Sequence, residues 1–507
     1  MIRSKEIELR CERLCDQRLS VIPITAHATE TCGIERRETA EFRGFAMTTL
    51  SDGLTQNFST KFKGRALRPG DADYDLSRRL WNGAIERRPA VIARCKDSEQ
   101  VSQAVQFART SGLEIAVRGG GHNYAGNASC DGGVMIHLGD MKEVAVDPAA
   151  RRVKCGGGAT WGDVDAATQA HGLATPGGII SHTGVAGLAL GGGIGWLTEA
   201  AGLSCDNLLA AEVVTAEGRI VRASPNENPD LFWGLTGGGG NFGVVTAFEF
   251  RLHPVGTVLG GMVLHPLAHA SEMLRFYRDF CATLPDEAEA YAALVTSPDG
   301  VPMAAMLLGY NGTMEDGERV LAPARRFGAP VADLVAPMSY GARQAMLDED
   351  NAEHGLHRYW RSAFTEQISD ELIRIMVAGA ARFSSPQNAL FLFHVHGAVT
   401  SPRGGNRLRC PQGAMGLRRH RAMERGQGKR HPHRLGARAV GAIGAASARQ
   451  RLHQPHCRRR PAGEAARLVR RQPSAVAGDQ GGIRPGQSVS GQLEHSAGVA
   501  LLPGSNG

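Results

Sequence analysis

The sequence predicts an α+β fold with two domains, because short β-branched runs alternate with amphipathic segments and glycine-rich joints. The first region begins with a β-type run at Ala90–Cys95, a helical pattern at Ser98–Ser111 and a strand pattern at Glu114–Arg118. Beyond about Pro254 strands and helices alternate again, which favours a separate domain. With 507 residues, 42% of them hydrophobic, the chain is long enough for two packed cores.

The same periodicities place the remaining elements. In the first region they predict strands at Gly133–Leu138, Glu143–Asp147, Arg152–Cys155, Leu208–Thr215, Arg219–Arg222 and Gly243–Leu252. A helix is expected from Thr160 to about His171. Its first turns contain Asp163 and Asp165, which suit the positive end of the helix dipole. In the second region the patterns predict strands at Tyr291–Val295 and Ala389–His396 and helices at Ser271–Thr283 and Glu318–Arg326.

The excess of positively over negatively charged residues is confined to the end of the chain. Residues 401–507 contain 20 Lys and Arg against 4 Asp and Glu, which gives this tail a net charge of +16. Since the whole chain carries +7, the first 400 residues carry −9. Nothing in the main body therefore indicates binding to nucleic acid.

The sequence also predicts the compartment. No apolar stretch is long enough to cross a bilayer, and the N-terminus lacks the pattern of a signal peptide. Of the ten cysteines only Cys11 and Cys15 are near neighbours, and no second close pair completes a zinc-type set. We therefore expect a cytoplasmic protein with reduced thiols, no bound metal and no membrane partner.

The most informative local feature is the segment RGGGHNY, which begins at Arg118 directly after an apolar strand. Three consecutive glycines allow backbone N–H groups to converge on an anion such as a pyrophosphate. His122, at the rim of this loop, would lie beside whatever is bound. A tight turn with a surface histidine explains this segment, taken alone, equally well.

Two further glycine-rich segments favour the ligand-binding interpretation. In residues 176–195 glycine is too frequent for a stable helix or a sheet interior, because each glycine costs backbone entropy. Residues 237–243 contain a formal G-x-G-x-x-G at Gly238, Gly240 and Gly243. A Rossmann unit requires a helix after this motif, whereas here a β-branched alternating run follows. An NAD-dependent dehydrogenase is therefore the weaker alternative.

Seven motifs occur in order between about Arg88 and Val255, about a third of the chain. They are RGGGHNYAG, DGGVMIHL, GGGATWGDVD, HGLATPGG, GVAGLALGGGIGWL, GLSCDNL and DLFWGLTGGGGNFGVVTAFEF. This region resembles the FAD-binding domain of the vanillyl-alcohol oxidase and p-cresol methylhydroxylase (PCMH) superfamily, and is most similar to berberine-bridge-enzyme-like and 6-hydroxy-D-nicotine-oxidase-like flavoproteins. The resemblance implies a two-subdomain PCMH-type FAD-binding domain, followed by an α+β substrate domain with an antiparallel sheet.

The resemblance also implies a cofactor and its contacts. FAD would be held by a single covalent link from His122 to the flavin 8α-methyl group, since Ile180 stands where some relatives have a second, cysteinyl tether. The other implied cofactor-binding residues are Arg118, Gly119, Gly120, Gly121, Asn123, Pro176, Gly177, Gly178, Thr183, Gly184, Gly187, Leu188, Gly191, Gly192, Gly193, Gly195, Asp206, Gly243 and Val244. The implied reaction is oxidation of a C–H bond of an alcohol, amine, sugar or secondary metabolite by hydride transfer to the flavin, with O2 as the acceptor.

The sequence offers two candidates for a catalytic base. In the segment FLFHVHG, alternation places His394 and His396 on one face of a strand. Histidine titrates near neutrality and suits proton abstraction. Two half-exposed strand histidines without a catalytic role are an equally good interpretation.

The expected organisation has five parts. They are an N-terminal extension at 1–46 unrelated to the family, a lead-in at 47–87, the PCMH-type domain at 88–257, the substrate domain at 258–400 and a disordered basic tail at 401–507. Met47 is a plausible alternative start. The 114 residues after Phe393 contain no Phe, Tyr or Trp, so a core is hard to build from them.

A shifted reading frame would explain this tail. Read one nucleotide later with permitted codon choices, residues 483–496 spell YDPANLFRVNWNIP, which resembles the family's C-terminal signature. Residues 449–460 then spell GSVYINHIADDD, which is similar to a family strand with an active-site tyrosine. We expect the frame to slip near residues 400–403. If the slip is real, an inactive flavin-binding remnant is the alternative function. A basic tail that binds nucleic acid or acidic partners is a separate alternative, in which the tail is not an artefact of the reading frame.

Overall fold

The computed structural model describes residues 52–352, 354–365, 367–399 and 415–423. The predicted N-terminal extension, the alternative start at Met47 and the two segments that carry the shifted-frame motifs lie outside the described residues.

The first sheet combines the lead-in with the start of the predicted flavin domain. Its strands are β1 (Arg65–Leu67), β2 (Val91–Arg94), β3 (Ile115–Arg118) and β4 (Val134–His137), and its helices are α1 (Asp52–Lys61), α2 (Tyr74–Arg78) and α3 (Ser98–Thr110). The order is β1-β2-β4-β3, with β2, β4 and β3 parallel and β1 antiparallel to β2. Helix α3 begins where the Asp97 side chain accepts a hydrogen bond from Gln100 N, and its apolar face is buried in the core of this sheet.

The second sheet is entirely antiparallel. Its strands are β5 (Val144–Asp147), β6 (Arg152–Gly156), β8 (Leu208–Val214), β9 (Ile220–Ala223) and β10 (Val244–Arg251), in the order β5-β6-β10-β8-β9. Its helices are α4 (Trp161–Gln169), α5 (Val185–Leu190), α6 (Thr198–Ala201) and α7 (Pro229–Leu235), and β7 (Leu173–Ala174) pairs with β11 (His253–Pro254). The predicted acidic start of α4 is a capping box, in which Thr160 and Asp163 bond each other's backbone N–H.

Helix α5 corrects one expectation. The second glycine segment was expected to contain no helix, yet Val185–Leu190 is helical. The helix contains a single glycine, and it buries Val185, Ala189 and Leu190 in the core of the second sheet. Burial of these side chains outweighs the cost of about 1 kcal/mol for one glycine in a helix.

The third sheet forms the predicted substrate domain. Its antiparallel strands are β12 (Thr257–Pro266), β13 (Ala288–Thr296), β14 (Pro302–Tyr310), β15 (Ala332–Asp333), β16 (Ala336–Ser339), β17 (His357–Thr365), β18 (Ala389–His394) and β19 (Met415–Met423). The order is β15-β12-β14-β13-β18-β19-β17, and β16 also pairs with β12. The helices are α8 (Ala270–Cys281), α9 (Met314–Arg325), α10 (Tyr340–Gln344) and α11 (Asp370–Ala380).

The two faces of the third sheet have different partners. One face packs against α8, α9 and α11 around residues such as Tyr277 and Leu392. The other face contributes Tyr291 and Phe393 to a cluster that also contains Trp196, from the second glycine segment's C-terminal end. This second face therefore joins the substrate domain to the part of the chain that carries the glycine segments.

Strand β19 differs from the expectation for the tail. Residues 401–507 were expected to be disordered, but Met415–Met423 pairs with β18 on one side and β17 on the other. A strand in this position satisfies the backbone groups along both neighbours, and backbone pairing does not depend on apolar side chains. The expectation of disorder is therefore wrong for these nine residues.

Two observations concern the predicted surroundings of the protein. In the part of the chain that the structure describes, no helix combines the length and apolarity needed to traverse a membrane. The five described cysteines are buried free thiols, namely Cys95, Cys130, Cys155, Cys205 and Cys281.

Candidate active site

The first and second glycine segments meet in the structure. The loop after β3 brings Gly120 against Gly184, so that a Cβ added to Gly120 would lie 2.6 Å from the Gly184 Cα. No side chain fits at such a distance, because real Cβ contacts are longer. The two main chains therefore touch directly, and the predicted convergence of these segments is explained by residues that lack side chains.

The second segment is folded back on itself. A Cβ on Gly195 would lie 2.6 Å from the carbonyl oxygen of Gly178, so the two ends of the segment are in backbone contact. The carbonyl groups of Gly192 and Gly193 accept hydrogen bonds from the N–H groups of Cys205 and Ser204. Helix α5 lies between the two ends of this segment. It is open on the side of Gly187, since a Cβ added to Gly187 would meet nothing within 4 Å.

The third segment is bonded to the second. The N–H of Gly239 donates a hydrogen bond to the Leu190 carbonyl at the end of α5, with an N–O distance of 2.9 Å. Gly243 lies against the carbonyl of Val214, and Val244 begins β10 with its side chain buried. Because helix α7 precedes this segment and β10 follows it, the order is the reverse of a Rossmann unit. The rejection of that interpretation is confirmed.

His122 lies at the junction of the first two segments. Its ring stacks on Trp81, with 4.6 Å between centroids and 21° between planes. Its Nε2 lies 2.9 Å from Nδ1 of His182, which precedes Gly184 by two residues. Desolvation, together with the positive charges that His182, His354, Arg358 and Arg118 can carry, lowers the pKa of His122 to about 3. The imidazole is therefore neutral at physiological pH and has a free electron pair.

Arg118 supplies a buried cation next to the first loop. One terminal nitrogen donates to the carbonyl of Ser77, while Nε is buried and has no hydrogen-bond partner among the described residues. Desolvation lowers the pKa of Arg118 to about 10, so the guanidinium keeps its charge at neutral pH. Its Nε would lie 3.0 Å from a Cβ on Gly121. A charged donor of this kind, beside exposed main chain, suits a phosphate group.

The remaining predicted cofactor residues lie in or next to the same segments. Asn123 fixes the first loop, because its side chain accepts a hydrogen bond from Asn127 N. Asp206 accepts one from Leu203 N and so shapes the turn that bonds to the second segment, and burial raises the pKa of its carboxyl group. The others are in the second segment, namely Pro176, Gly177, Gly178, Thr183, Leu188 and Gly191.

Sequence reasoning missed four residues beside His122. Trp81 is in the lead-in, His182 is in the second segment, and Arg358 and Trp360 are in β17. The Arg358 guanidinium lies over the Trp81 ring at 3.7 Å, and Trp360 stacks on Tyr124 at 4.1 Å. These contacts join positions far apart in the chain, so local patterns could not predict them. The one available signal was that tryptophan is scarce, with five in 507 residues.

The structure does not bring the two predicted catalytic histidines to this site. Strand β18 ends at His394, so His396 lies beyond it, and their rings stack at 4.5 Å. Along β18, Leu392 faces the helices of the substrate domain and Phe393 faces the glycine segments. Alternation therefore directs His394 towards the helices, and His396 contacts the carbonyl of Pro285 there. The pattern predicted a shared face but could not tell which layer covers it.

Comparison with known proteins identifies the cofactor. Residues 89–224 match the family model of the FAD binding domain. The chain is 33% identical to an FAD-linked oxidoreductase of Dictyostelium discoideum over 351 residues, which covers 69% of this chain and 76% of the relative. The chain belongs to the FAD-linked oxidases of the vanillyl-alcohol oxidase and PCMH superfamily.

Two further similarities agree with this assignment. The FAD-linked oxidase is 34% identical over 302 residues to (R)-6-hydroxynicotine oxidase of Paenarthrobacter nicotinovorans, covering 59% of this chain and 66% of the relative. The crystal structure of 6-hydroxy-D-nicotine oxidase from Arthrobacter nicotinovorans superposes with a TM-score of 0.69 at 29% identity, over 76% of this chain and 86% of that one. The predicted superfamily, α+β fold and enzyme class are confirmed.

The residues of this FAD-linked oxidase fit its cofactor. The first two glycine segments are in main-chain contact, the third is bonded to the second, and Arg118 presents a buried charged donor beside the first loop. Pyrophosphate is recognised by such backbone N–H groups and by arginine. A neutral imidazole, flanked by aromatic rings, lies at the end of this surface.

Proposed function

We propose that this FAD-dependent oxidoreductase oxidises a C–H bond of a small molecule, with O2 as the acceptor, and that His122 carries the flavin through a single covalent link. The observation that carries the proposal is the backbone contact between Gly120 and Gly184, because it positions the imidazole of His122 at the rim of the glycine segments. When bound, FAD would supply the redox chemistry, namely acceptance of a hydride from the substrate and transfer of two electrons to O2 with formation of hydrogen peroxide.

The glycine segments divide the cofactor between them in this proposal. The pyrophosphate would lie against Arg118, Gly119–Gly121 and Asn123, where the buried guanidinium and the loop N–H groups can hold two negative charges. The rest of the FAD would run along the second and third segments, from Pro176 and Gly177 to Gly243 and Val244. The open side of Gly187 and the exposed backbone of Gly191 leave room there for a flat ligand.

A single histidyl link is supported by the residues around His122. The imidazole is neutral and partly buried, and one of its nitrogens is already engaged by His182. The side chain of Ile180 packs against the cluster that joins the two domains, and it cannot form a second bond to the flavin.

The aromatic group beside His122 would orient the substrate. Tyr124 and Trp360 are half-buried aromatic rings that a substrate could reach, whereas Trp81 is buried, with His122 stacked on it and the Arg358 guanidinium over its ring. Rings of this kind exclude water and stack on planar or sugar substrates. Because (R)-6-hydroxynicotine oxidase is among the relatives, cyclic amines join alcohols, sugars and secondary metabolites in the first substrate panel.

Acid precipitation tests the covalent link. We expect the yellow flavin of the full chain to remain in the protein pellet, and the flavin of His122→Ala to pass into the supernatant. His171→Ala is the matched control, since His171 is an exposed histidine near the end of α4. Release of the flavin from the unaltered protein would contradict the link, whereas peroxide production with the substrate panel tests the oxidase activity separately.

A second candidate function is that of an inactive flavin-binding remnant. It is favoured by the shifted reading of the tail, in which the missing C-terminal signature and the strand with an active-site tyrosine reappear. The test compares peroxide production by the full chain with that of a version whose tail is translated in the shifted frame. Activity in the shifted version alone supports the remnant, and equal activity in both excludes it.

A further inference from the structure

His122 and His182 form a hydrogen-bonded pair of imidazoles. Their ring centroids are 4.8 Å apart, their planes are tilted by 43°, and the bond joins His122 Nε2 to His182 Nδ1 at 2.9 Å. In a pair of neutral imidazoles one nitrogen donates and the other accepts. The tautomer of one histidine therefore fixes that of the other. If Nε2 of His122 carries the proton, its Nδ1 keeps a free electron pair.

The surroundings of the pair are asymmetric. Asp348 accepts hydrogen bonds from the backbone N–H and the hydroxyl group of Ser181, the residue before His182. Burial lowers the pKa of His182, but the nearby Asp348 carboxylate opposes this effect. Arg358 disfavours a positive imidazole at both histidines, whereas His354 and Arg118 disfavour it at His122 and no carboxylate opposes them there. A proton shared by the pair is therefore better accommodated on His182.

We infer that His182 positions His122 and removes its Nε2 proton while Nδ1 of His122 is joined to the flavin. This inference rests on the proposed histidyl link and assigns a role to a residue outside the glycine motifs. His182 Nδ1 accepts the hydrogen bond beforehand, which directs the electron pair of His122 Nδ1 away from the pair. His182 is thus a positioning residue for attachment of the cofactor.

The step balances as follows. A bond forms between His122 Nδ1 and the 8α carbon of the flavin, and the 8α-methyl group loses one proton. The Nε2 proton of His122 passes to His182, so the link remains neutral. The electron pair and the proton of the broken C–H bond are taken up by the flavin ring system. O2 then accepts this electron pair together with that proton and the proton held by His182, and leaves as hydrogen peroxide.

The experiment measures the rate of attachment rather than turnover. The full chain is produced without riboflavin, FAD is added, and the fluorescence of the flavin-bearing protein band is followed on denaturing gels. We expect attachment in His182→Ala to be slower by about 10²-fold or more, the range associated with loss of a proton acceptor. The exposed-site control, His171→Gln, should match the unaltered protein.

A conservative variant separates positioning from proton transfer. The amide oxygen of His182→Gln can accept the hydrogen bond from His122 Nε2 but cannot take the proton. We expect its attachment rate to lie between those of His182→Ala and the unaltered protein. Added imidazole should accelerate attachment in His182→Ala, which a purely structural defect would not allow.

The outcomes distinguish this inference from the proposed function. If the unaltered protein binds FAD without any covalent attachment, the histidyl link itself is wrong. If the unaltered protein attaches FAD and His182→Ala does so at the same rate, the role of His182 is wrong while the link stands. If His182→Ala fails to retain FAD, the attachment rate of His182→Gln is the deciding measurement. An attachment rate in His182→Gln equal to that of the unaltered protein overturns the inference.

Discussion

The parts of the chain before and after Thr257 are stabilised in different ways. In the first part, strands of two to eight residues hold glycine segments whose main chains touch, as Gly120 and Gly184 do. In the second, strands of up to ten residues carry a layer of helices, and large side chains fill the core. The glycine segments of the first part contact each other, and would contact a ligand, through main-chain atoms. The second part is packed through its side chains. Adding atoms should therefore damage the first, and removing them should damage the second.

The largest effect is expected from the buried ion pair of the second part. Arg343 and Glu289 are 3.0 Å apart and almost fully buried, and the guanidinium lies 4.0 Å from the centroid of the Trp196 ring. Arg343→Met leaves the Glu289 carboxyl group without its cation, which should lower the free energy of unfolding by about 3–5 kcal/mol. Denaturant unfolding measures this loss.

A matched arginine in the same domain provides the control. Arg374 pairs with Glu371 on the exposed side of α11. Since solvent screens exposed ion pairs so that they contribute little to stability, Arg374→Met should unfold almost as the unaltered protein does. Equal losses of unfolding free energy in Arg343→Met and Arg374→Met would contradict this expectation. They would show that the buried ion pair stabilises the second part no more than the exposed one does.

The next largest effect is expected from a single added methyl group. In Gly120→Ala the Cβ meets the Gly184 backbone, and the resulting strain of about 1–3 kcal/mol must be relieved by separating the two segments. This corresponds to about 5- to 150-fold weaker binding of FAD. Flavin content per protein, from the visible absorbance of the purified variant, measures it.

Gly341→Ala adds the same methyl group to the second part. Gly341 is in α10 with nothing within 4 Å of its Cβ position, so alanine should be tolerated and should favour the helix. Its flavin content should equal that of the unaltered protein. A Gly120→Ala variant that also retained full flavin content would contradict the close approach of the two segments.

The smallest effect concerns a carboxyl group between the two parts. Glu199 in α6 is buried, neither carboxyl oxygen has a partner among the described residues, and burial raises the pKa of the group well above 4.5. The folded protein then keeps a proton that the unfolded chain loses above pH 4.5. Stability therefore falls as pH rises, by up to about 1.4 kcal/mol per unit.

Glu199→Gln removes this proton and should flatten the pH dependence of unfolding between pH 6 and 7. The control is Glu315→Gln, at an exposed position in the first turn of α9, where the slope should not change. Thermal unfolding at the two pH values measures both. If the unaltered protein is equally stable at pH 6 and 7, Glu199 does not keep its proton on folding.

The sequence predicted the local elements better than their contacts. Helix α3 and strand β10 were expected within one or two residues of their observed bounds, because periodicity and capping are local properties. The cofactor was also predictable from the sequence, since clustered glycines mark where the main chain must approach a ligand without intervening side chains. The residues facing His122 were not, because Trp81 and Arg358 are brought to it by tertiary packing.

The errors have the same origin. Alternation placed His394 and His396 together, but only the position of α8 and its neighbours in the fold decides which layer covers them. Glycine frequency argued against helix α5, whereas burial of three apolar side chains on its inner side decided in its favour. Both outcomes depend on neighbours that are distant in sequence.

Strand β19 supports residues that lie much earlier in the sequence. It is the strand through which β17 joins the sheet, and β17 carries Arg358, which lies over the Trp81 ring, and Trp360, which stacks on Tyr124. Main-chain pairing requires only that the inserted segment lack proline, and Met415–Met423 contains none. Residues 415–423 thus hold in the sheet a strand whose side chains contact Trp81 and Tyr124, far earlier in the sequence.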